Sequence, residues 1–115
     1  MTDKVLIFTP TWKLANGDLA IHPDCEASID AQQFNGEVDW ALSTAQPYPV
    51  PDHRNVLEHY KTARLWLLRG DYDALLTVEH DNVLPDPDVL QRMYDTPGDV
   101  IYAPYMLRHG MRMLS

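Results

Sequence analysis

Tyr72-Asp73-Ala74-Leu75-Leu76-Thr77-Val78-Glu79-His80-Asp81-Asn82 is apolar through its middle and turns abruptly polar at Glu79. An apolar run of this length reads as a strand buried on both faces, the kind found in parallel sheets. Its carboxyl end then carries two acids, Glu79 and Asp81, one residue apart. Reading outward from this strand, the neighbouring segments fall into place as an alternation of helices and strands.

Upstream, His53 to Arg69 predicts the longest helix, closed by Gly70. Val56, Tyr60, Ala63 and Leu67 recur at helical spacing and are read as its buried face, widened by Leu57 and Leu68. Before it, Gln46-Pro47-Tyr48-Pro49-Val50-Pro51 is too rich in proline to pair and reads as an extended loop. Val38 to Ser43 is a second strand. Asn35-Gly36 stops a helix that opens at His22-Pro23-Asp24 and runs to about Phe34, with Pro23 in the first turn and Asp24 and Glu26 at its positive end. Lys13 to Ile21, with Asn16-Gly17-Asp18, reads as a loop. Lys4-Val5-Leu6-Ile7-Phe8 is the first strand, halted by Thr9-Pro10-Thr11.

Downstream, Asp86 is placed to cap a third helix, with Pro87 at its first position and Asp88 beside the helix dipole. Val89, Leu90 and Met93 face the core of this reading, Thr96-Pro97-Gly98 breaks the helix, and Val100 to Ala103 forms a fourth strand. The order β-α-β-α-β-α-β with short connections predicts one α/β domain over residues 1–115, a Rossmann-like parallel sheet with helices on both faces. Ligands of such sheets bind at the carboxyl ends of the strands. Thr9 to Thr11, Pro47 to Asn55 and Glu79 to Asn82 all belong to that edge.

Composition narrows the functions available. The 115 residues are 45% hydrophobic and 23% charged, ordinary globular usage, and the longest apolar runs are far short of a membrane span. The first residues lack the pattern of a secretory signal, so the expected location is cytoplasmic. Nine Lys and Arg against 17 Asp and Glu give a net charge of −8, which disfavours nucleic acid as a partner. A nucleotide remains compatible when a divalent cation stands between acids and phosphates. Cys25 is the single cysteine and reads as a buried structural thiol.

Glu79 and Asp81 carry the chemistry. On an extended strand, alternation would place both carboxylates on one side. Held together they repel each other unless a cation joins them, and oxygen ligands favour Mg²⁺ or Mn²⁺ over zinc. Arg54 and Asn55 open a helix, where phosphate or ribose is well received. His80 is a minor catalytic candidate. His109, in Arg108-His109-Gly110 beyond the fourth strand, is a minor metal candidate.

The run Leu75 to Leu90, with its acid pair followed by Pro85-Asp86-Pro87-Asp88-Val89-Leu90, resembles the Asp-x-Asp region of GT-A glycosyltransferases of the family-2 type. Val5 to Thr11 resembles the first strand of that fold, and His53-Arg54-Asn55 resembles its "Ala-Arg-Asn" helix start. The resemblance implies a nucleotide-diphosphate sugar as donor and a divalent metal on Asp81 and Glu79. It also implies donor contacts from Thr9, Pro10, Thr11, Arg54, Asn55 and Glu79. Glu79 stands where the family has its first Asp, and Ser43, Thr44 or Gln46 would take over the base recognition of an absent Asp after the second strand. On this resemblance the chain is the donor-binding, N-terminal part of a longer domain, whose remainder supplies the acceptor site and the general base. The competing expectation is a non-catalytic α/β binding module that self-associates through an open sheet edge or apolar patch.

Overall fold

The computed structural model describes residues 2–44, 47–49, 52–99 and 101, and the backbone of 105–106 and 113–114. Three parallel strands, β1 (Lys4–Pro10), β2 (Glu37–Ser43) and β3 (Ala74–Thr77), form a sheet in the order β2-β1-β3. Helices α1 (Pro23–Asp30) and α2 (Arg54–Arg69) make the crossovers, and α3 (Val89–Asp95) follows β3. A separate antiparallel pair, β4 (Tyr105–Met106) with β5 (Met113–Leu114), was not legible in the sequence. Of the expected fourth strand at Val100 to Ala103 only Ile101 is described; the remainder, and His109, lie outside the described residues.

Alternation along β1 sorts the core into two layers. Val5 and Ile7 point to one face, where they pack with Cys25 and Ile29 of α1, Val78, and Leu90 of α3. Phe8 points to the other, against Tyr60 and Trp66 of α2 at ring separations of 6.3 and 5.9 Å. Helices therefore cover both faces, as right-handed crossovers running in opposite directions from a central strand require. Ile7 and Phe8 are wholly excluded from solvent.

β1 outlasts its sequence expectation by two residues. Thr11 N–H still donates to Ser43 carbonyl (2.8 Å), so pairing with β2 continues past Thr9-Pro10. Phe8 carbonyl accepts from Val78 N–H on the β3 side, so the next residue facing that side is Pro10, whose missing N–H falls beyond the last rung. The strand leading to the acid segment is shorter than read: β3 starts at Ala74, with Tyr72 N–H turned back to Leu67 carbonyl (3.4 Å) and Asp73 N–H donating to Lys4 carbonyl (2.7 Å).

The helices also differ from expectation at their ends. α1 stops at Asp30 rather than near Phe34, because Gln33 N–H turns to Pro87 carbonyl (2.7 Å) and Asn35 N–H to the Gln91 side chain (2.7 Å). Phe34 thereby swings onto Tyr94, ring to ring at 5.1 Å. α3 begins at Val89, not Pro87, with Asp88 at the cap and Asp86 to Asp88 forming the turn before it. Gln32 explains the delay: its amide donates to Asp86 carbonyl (2.8 Å) and accepts from Leu90 N–H (2.9 Å), fixing the turn to α1. Val89 and Leu90 are buried as expected and Met93 is half-buried.

The largest correction concerns α2. Its buried stripe is Asn55, His59 and Ala63, with Trp66 half-buried, rotated by about a quarter turn from the stripe read in the sequence at 100° per residue. Val56, Leu57, Tyr60 and Leu68 are exposed. Polar residues replace the expected apolar ones at the buried line because each finds a hydrogen-bond partner there, as described below.

Gly36 sits where β2 enters the sheet. A Cβ there would collide with Asp3 carbonyl, the acceptor of Glu37 N–H, and would stand 2.7 Å from the Phe34 ring. Backbone cannot yield as a side chain can, so Gly36→Ala is expected to cost about 1–3 kcal/mol. A urea midpoint unchanged from that of the parent chain would refute this reading.

Candidate functional site

The sheet order reverses direction at β1, so the switch point lies between the carboxyl ends of β1 and β3. Four segments meet there. The end of β1 leads into a tight hairpin, with Ala20 N–H donating to Trp12 carbonyl (2.8 Å) and Leu14 N–H to Asp18 carbonyl (2.7 Å) around Gly17 in the left-handed region. α1 begins beside it, capped by His22, whose Nδ1 accepts from Asp24 N–H at 3.1 Å. His22 N–H in turn donates to His80 carbonyl (2.9 Å), tying the helix start to the acidic segment.

That segment is a turn and not a strand end. Asn82 N–H closes it onto Glu79 carbonyl at 3.1 Å, with His80 and Asp81 at the corner. The alternation argument for Glu79 and Asp81 therefore does not hold, because β3 ends at Thr77 and Val78 makes the last rung. The two carboxylates remain on one short turn at the switch point. Glu79 is exposed, whereas Asp81 is half-buried, and its charge is felt at the Cys25 thiol. No group of three or more His, Cys, Asp or Glu able to hold a metal occurs among the described residues. A Mg²⁺ or Mn²⁺ ion on this pair would need ligand oxygens to complete its shell, the usual arrangement when the ligand is a phosphate.

Cys25 lies under the turn, its Sγ 3.5 Å from Glu79 carbonyl. Burial, then the charges of Asp81 and Glu26, push its thiol up to about 11. So high a value keeps it protonated and inert at neutral pH, in agreement with a structural thiol.

At the end of β1 the two threonines face inward. Thr9 Oγ1 accepts from Trp40 Nε1 at 3.0 Å, and the Thr11 hydroxyl donates to Ala20 carbonyl. Both residues are buried, and Pro10 is half-buried beside Ser43. Just beyond them Trp12 is 40% exposed, with its ring edge-on to His80 at 4.8 Å.

The start of α2 is occupied by its own chain. Asp52 accepts from Arg54 N–H (2.9 Å) and grips the guanidinium at 2.7 Å, while that guanidinium lies 3.8 Å over the Tyr48 ring. This pairing holds the Asp52 carboxyl below the usual range. Asn55 is buried, donating to Tyr48 carbonyl (3.0 Å) and accepting from Tyr48 N–H (3.1 Å). Arg54 and Asn55 thus shape the proline-rich loop, and the first helical N–H groups are already bonded.

His59, which the sequence reading passed over, forms the floor of this corner: its Nδ1 is 3.0 Å from Ser43 Oγ, and both residues are buried. Burial lowers its basicity from the ordinary 6.5. A histidine whose folded value is depressed stabilises the fold above its unfolded value and loses that contribution as pH falls toward the folded one. Stability is therefore expected to decline below about pH 6.5, and a His59→Gln variant to show a flatter profile over that window. Parallel profiles for the two proteins would overturn this.

Comparison with models of protein families, with curated proteins and with solved structures finds no match to this chain. The site must therefore be read from its own geometry. No helix among the described residues is long and apolar enough to cross a membrane.

Proposed function

We propose that this chain binds a nucleotide-diphosphate sugar through Mg²⁺ or Mn²⁺ and carries the donor site of a Rossmann-like, GT-A-type glycosyltransferase. The observation that carries the reading is the acidic turn Glu79 to Asn82 at the switch point of an all-parallel sheet, between the ends of β1 and β3. Asp81 is the principal metal ligand, fixed by its half-buried position, and the exposed Glu79 is the second ligand or a ribose acceptor. Held by Asp81 and Glu79, the ion would supply positive charge to offset that of the diphosphate, which is work a metal does without proton transfer by the protein. Arg54 reaches the phosphates only by leaving Asp52, so its contribution is secondary.

Support comes from three properties together: the parallel α/β sheet, the place of the acid pair within it, and the sequence resemblance around Leu75 to Leu90. The transfer step and the general base for the acceptor belong to residues beyond this site. Isothermal titration with UDP and GDP, each with Mn²⁺ and with EDTA, tests the reading. Binding that needs the metal supports it; no binding of either nucleotide in Mn²⁺ sinks it.

A further inference from the structure

Among the described residues, large apolar side chains left open to solvent fall into two main groups, and the groups carry opposite charge. The first lies on α2, where Val56, Leu57, Tyr60, Leu65 and Leu68 are exposed, Leu57 at 56% and Leu68 at 63%. Leu57, Lys61, Arg64 and Leu68 follow one another at spacings of four, three and four, a single stripe along the crest of the helix. α2 holds four of the nine Lys and Arg of the chain against one of its 17 acids. That acid, Glu58, is folded onto Lys61 at 3.3 Å, and among the described residues Arg64 enters no ion pair.

The second group is at the carboxyl edge: Trp12, Leu14 and Val83 are exposed, among the exposed acids Asp18, Asp24 and Glu79, with Lys13 the cation beside them. An exposed apolar cluster of this kind marks a contact surface. Each group supplies what the other lacks, exposed apolar side chains on a segment of the opposite charge. We infer that the α2 crest of one copy docks on the carboxyl edge of a second copy, head to tail.

Charge selects this partner over the alternatives. Two α2 crests face to face would oppose Lys61 and Arg64 to their own kind, which costs affinity. A lipid surface wants its cations on a polar flank separate from the inserted residues, whereas here Lys61 and Arg64 stand between Leu57 and Leu68 on the same line. A head-to-tail contact is heterologous and does not close on itself at two copies, so it gives a concentration-dependent ladder of species. The contact also covers the turn of Glu79, so a ligand bound there competes with association.

Sedimentation velocity of the whole chain from low to about millimolar concentration tests the inference. Two double variants, both confined to exposed positions, separate the surfaces: Leu57→Glu with Leu68→Glu on α2, and Leu14→Glu with Val83→Glu on the edge. The parent is expected to associate, at least tenfold more weakly in about 500 mM than in about 50 mM NaCl as charges are screened. Each double variant alone stays monomeric with unchanged circular dichroism. Mixed together they form a one-to-one dimer and nothing larger, since one intact α2 crest meets one intact edge. A parent monomeric throughout overturns the inference, and so does association that survives the edge variant, salt-independent association, or a mixture that stays monomeric.

Discussion

Asp81→Ala is expected to remove the metal-dependent part of nucleotide affinity, weakening UDP or GDP binding in Mn²⁺ by about 100-fold or more. Even outer-shell partners of a metal site are worth roughly 10–100-fold, and a direct ligand is worth no less. Mg²⁺ and Mn²⁺ take only one or two carboxylates and fill the rest of their shell with phosphate and water. Deleting the better-fixed of two leaves the exposed Glu79, whose conformational freedom must then be lost on binding. Asp81 already interacts within the fold, so Asp81→Asn serves as the companion variant of equal shape. Both variants should bind like the parent does in EDTA. If either keeps full Mn²⁺-dependent affinity, Asp81 is not the ligand, and the donor-binding reading falls with it unless Glu79→Gln shows the loss instead.

Phe8→Ala should remove about 3–5 kcal/mol of stability, the range for deleting a buried phenyl ring and leaving the space. Phe8 is wholly buried on the central strand and is the point where the sheet meets Tyr60 and Trp66 of α2. Leu6, buried on the same face, lines one cavity with Trp66 and is the neighbour left to hold α2. Domains of this size hold about 5–15 kcal/mol in all, so the variant loses a large fraction of its stability and melts at a lower temperature. Leu57→Ala on the open side of α2 is the control and should stay within about 0.5 kcal/mol. Equilibrium urea unfolding of the two variants decides it, and a Phe8→Ala loss below about 1.5 kcal/mol would mean that α2 is anchored elsewhere.

The sheet and its helices were legible because the information is dense there. Val5 to Phe8 is apolar on both alternations, which only a doubly covered strand explains, whereas Ala74 to Thr77, read as equally buried, is half-buried with Thr77 exposed. Pro23, Gly70 and Asn35-Gly36 bracket elements whose existence the structure bears out, with α1 ending earlier than read. What failed depended on partners distant in sequence. Gln32 and Gln91 decide where α1 ends and α3 begins, and nothing in the local pattern announces a glutamine reaching across 54 to 58 residues.

The rotation of α2 has the same origin. Hydrophobic periodicity treats Asn55 and His59 as outward residues, yet both are buried with their polar atoms met by Tyr48 and Ser43. The repeat Asn55, His59, Ala63 at every fourth position was visible as a stripe, though not as an apolar one. At the candidate site, the position of the acid pair in the chain was readable, while its turn was not. Glu79 to Asp81 reads as the extended end of a strand, and its bend rests on Asn82 N–H closing onto Glu79 carbonyl and on His22 N–H, distant in sequence, claiming His80 carbonyl.

Thr9, Thr11, Ser43, Asn55 and His59 are all buried, and no buried side-chain polar atom among the described residues lacks a partner. Such a belt is unforgiving of mistakes in a way that an oily layer is not. Were β2 to slip by one residue against β1, Trp40 would leave Thr9 and Ser43 would turn away from His59, stranding several polar groups in one step. The belt thus penalises every alignment but the native one, which the bland aliphatic runs alone would not do.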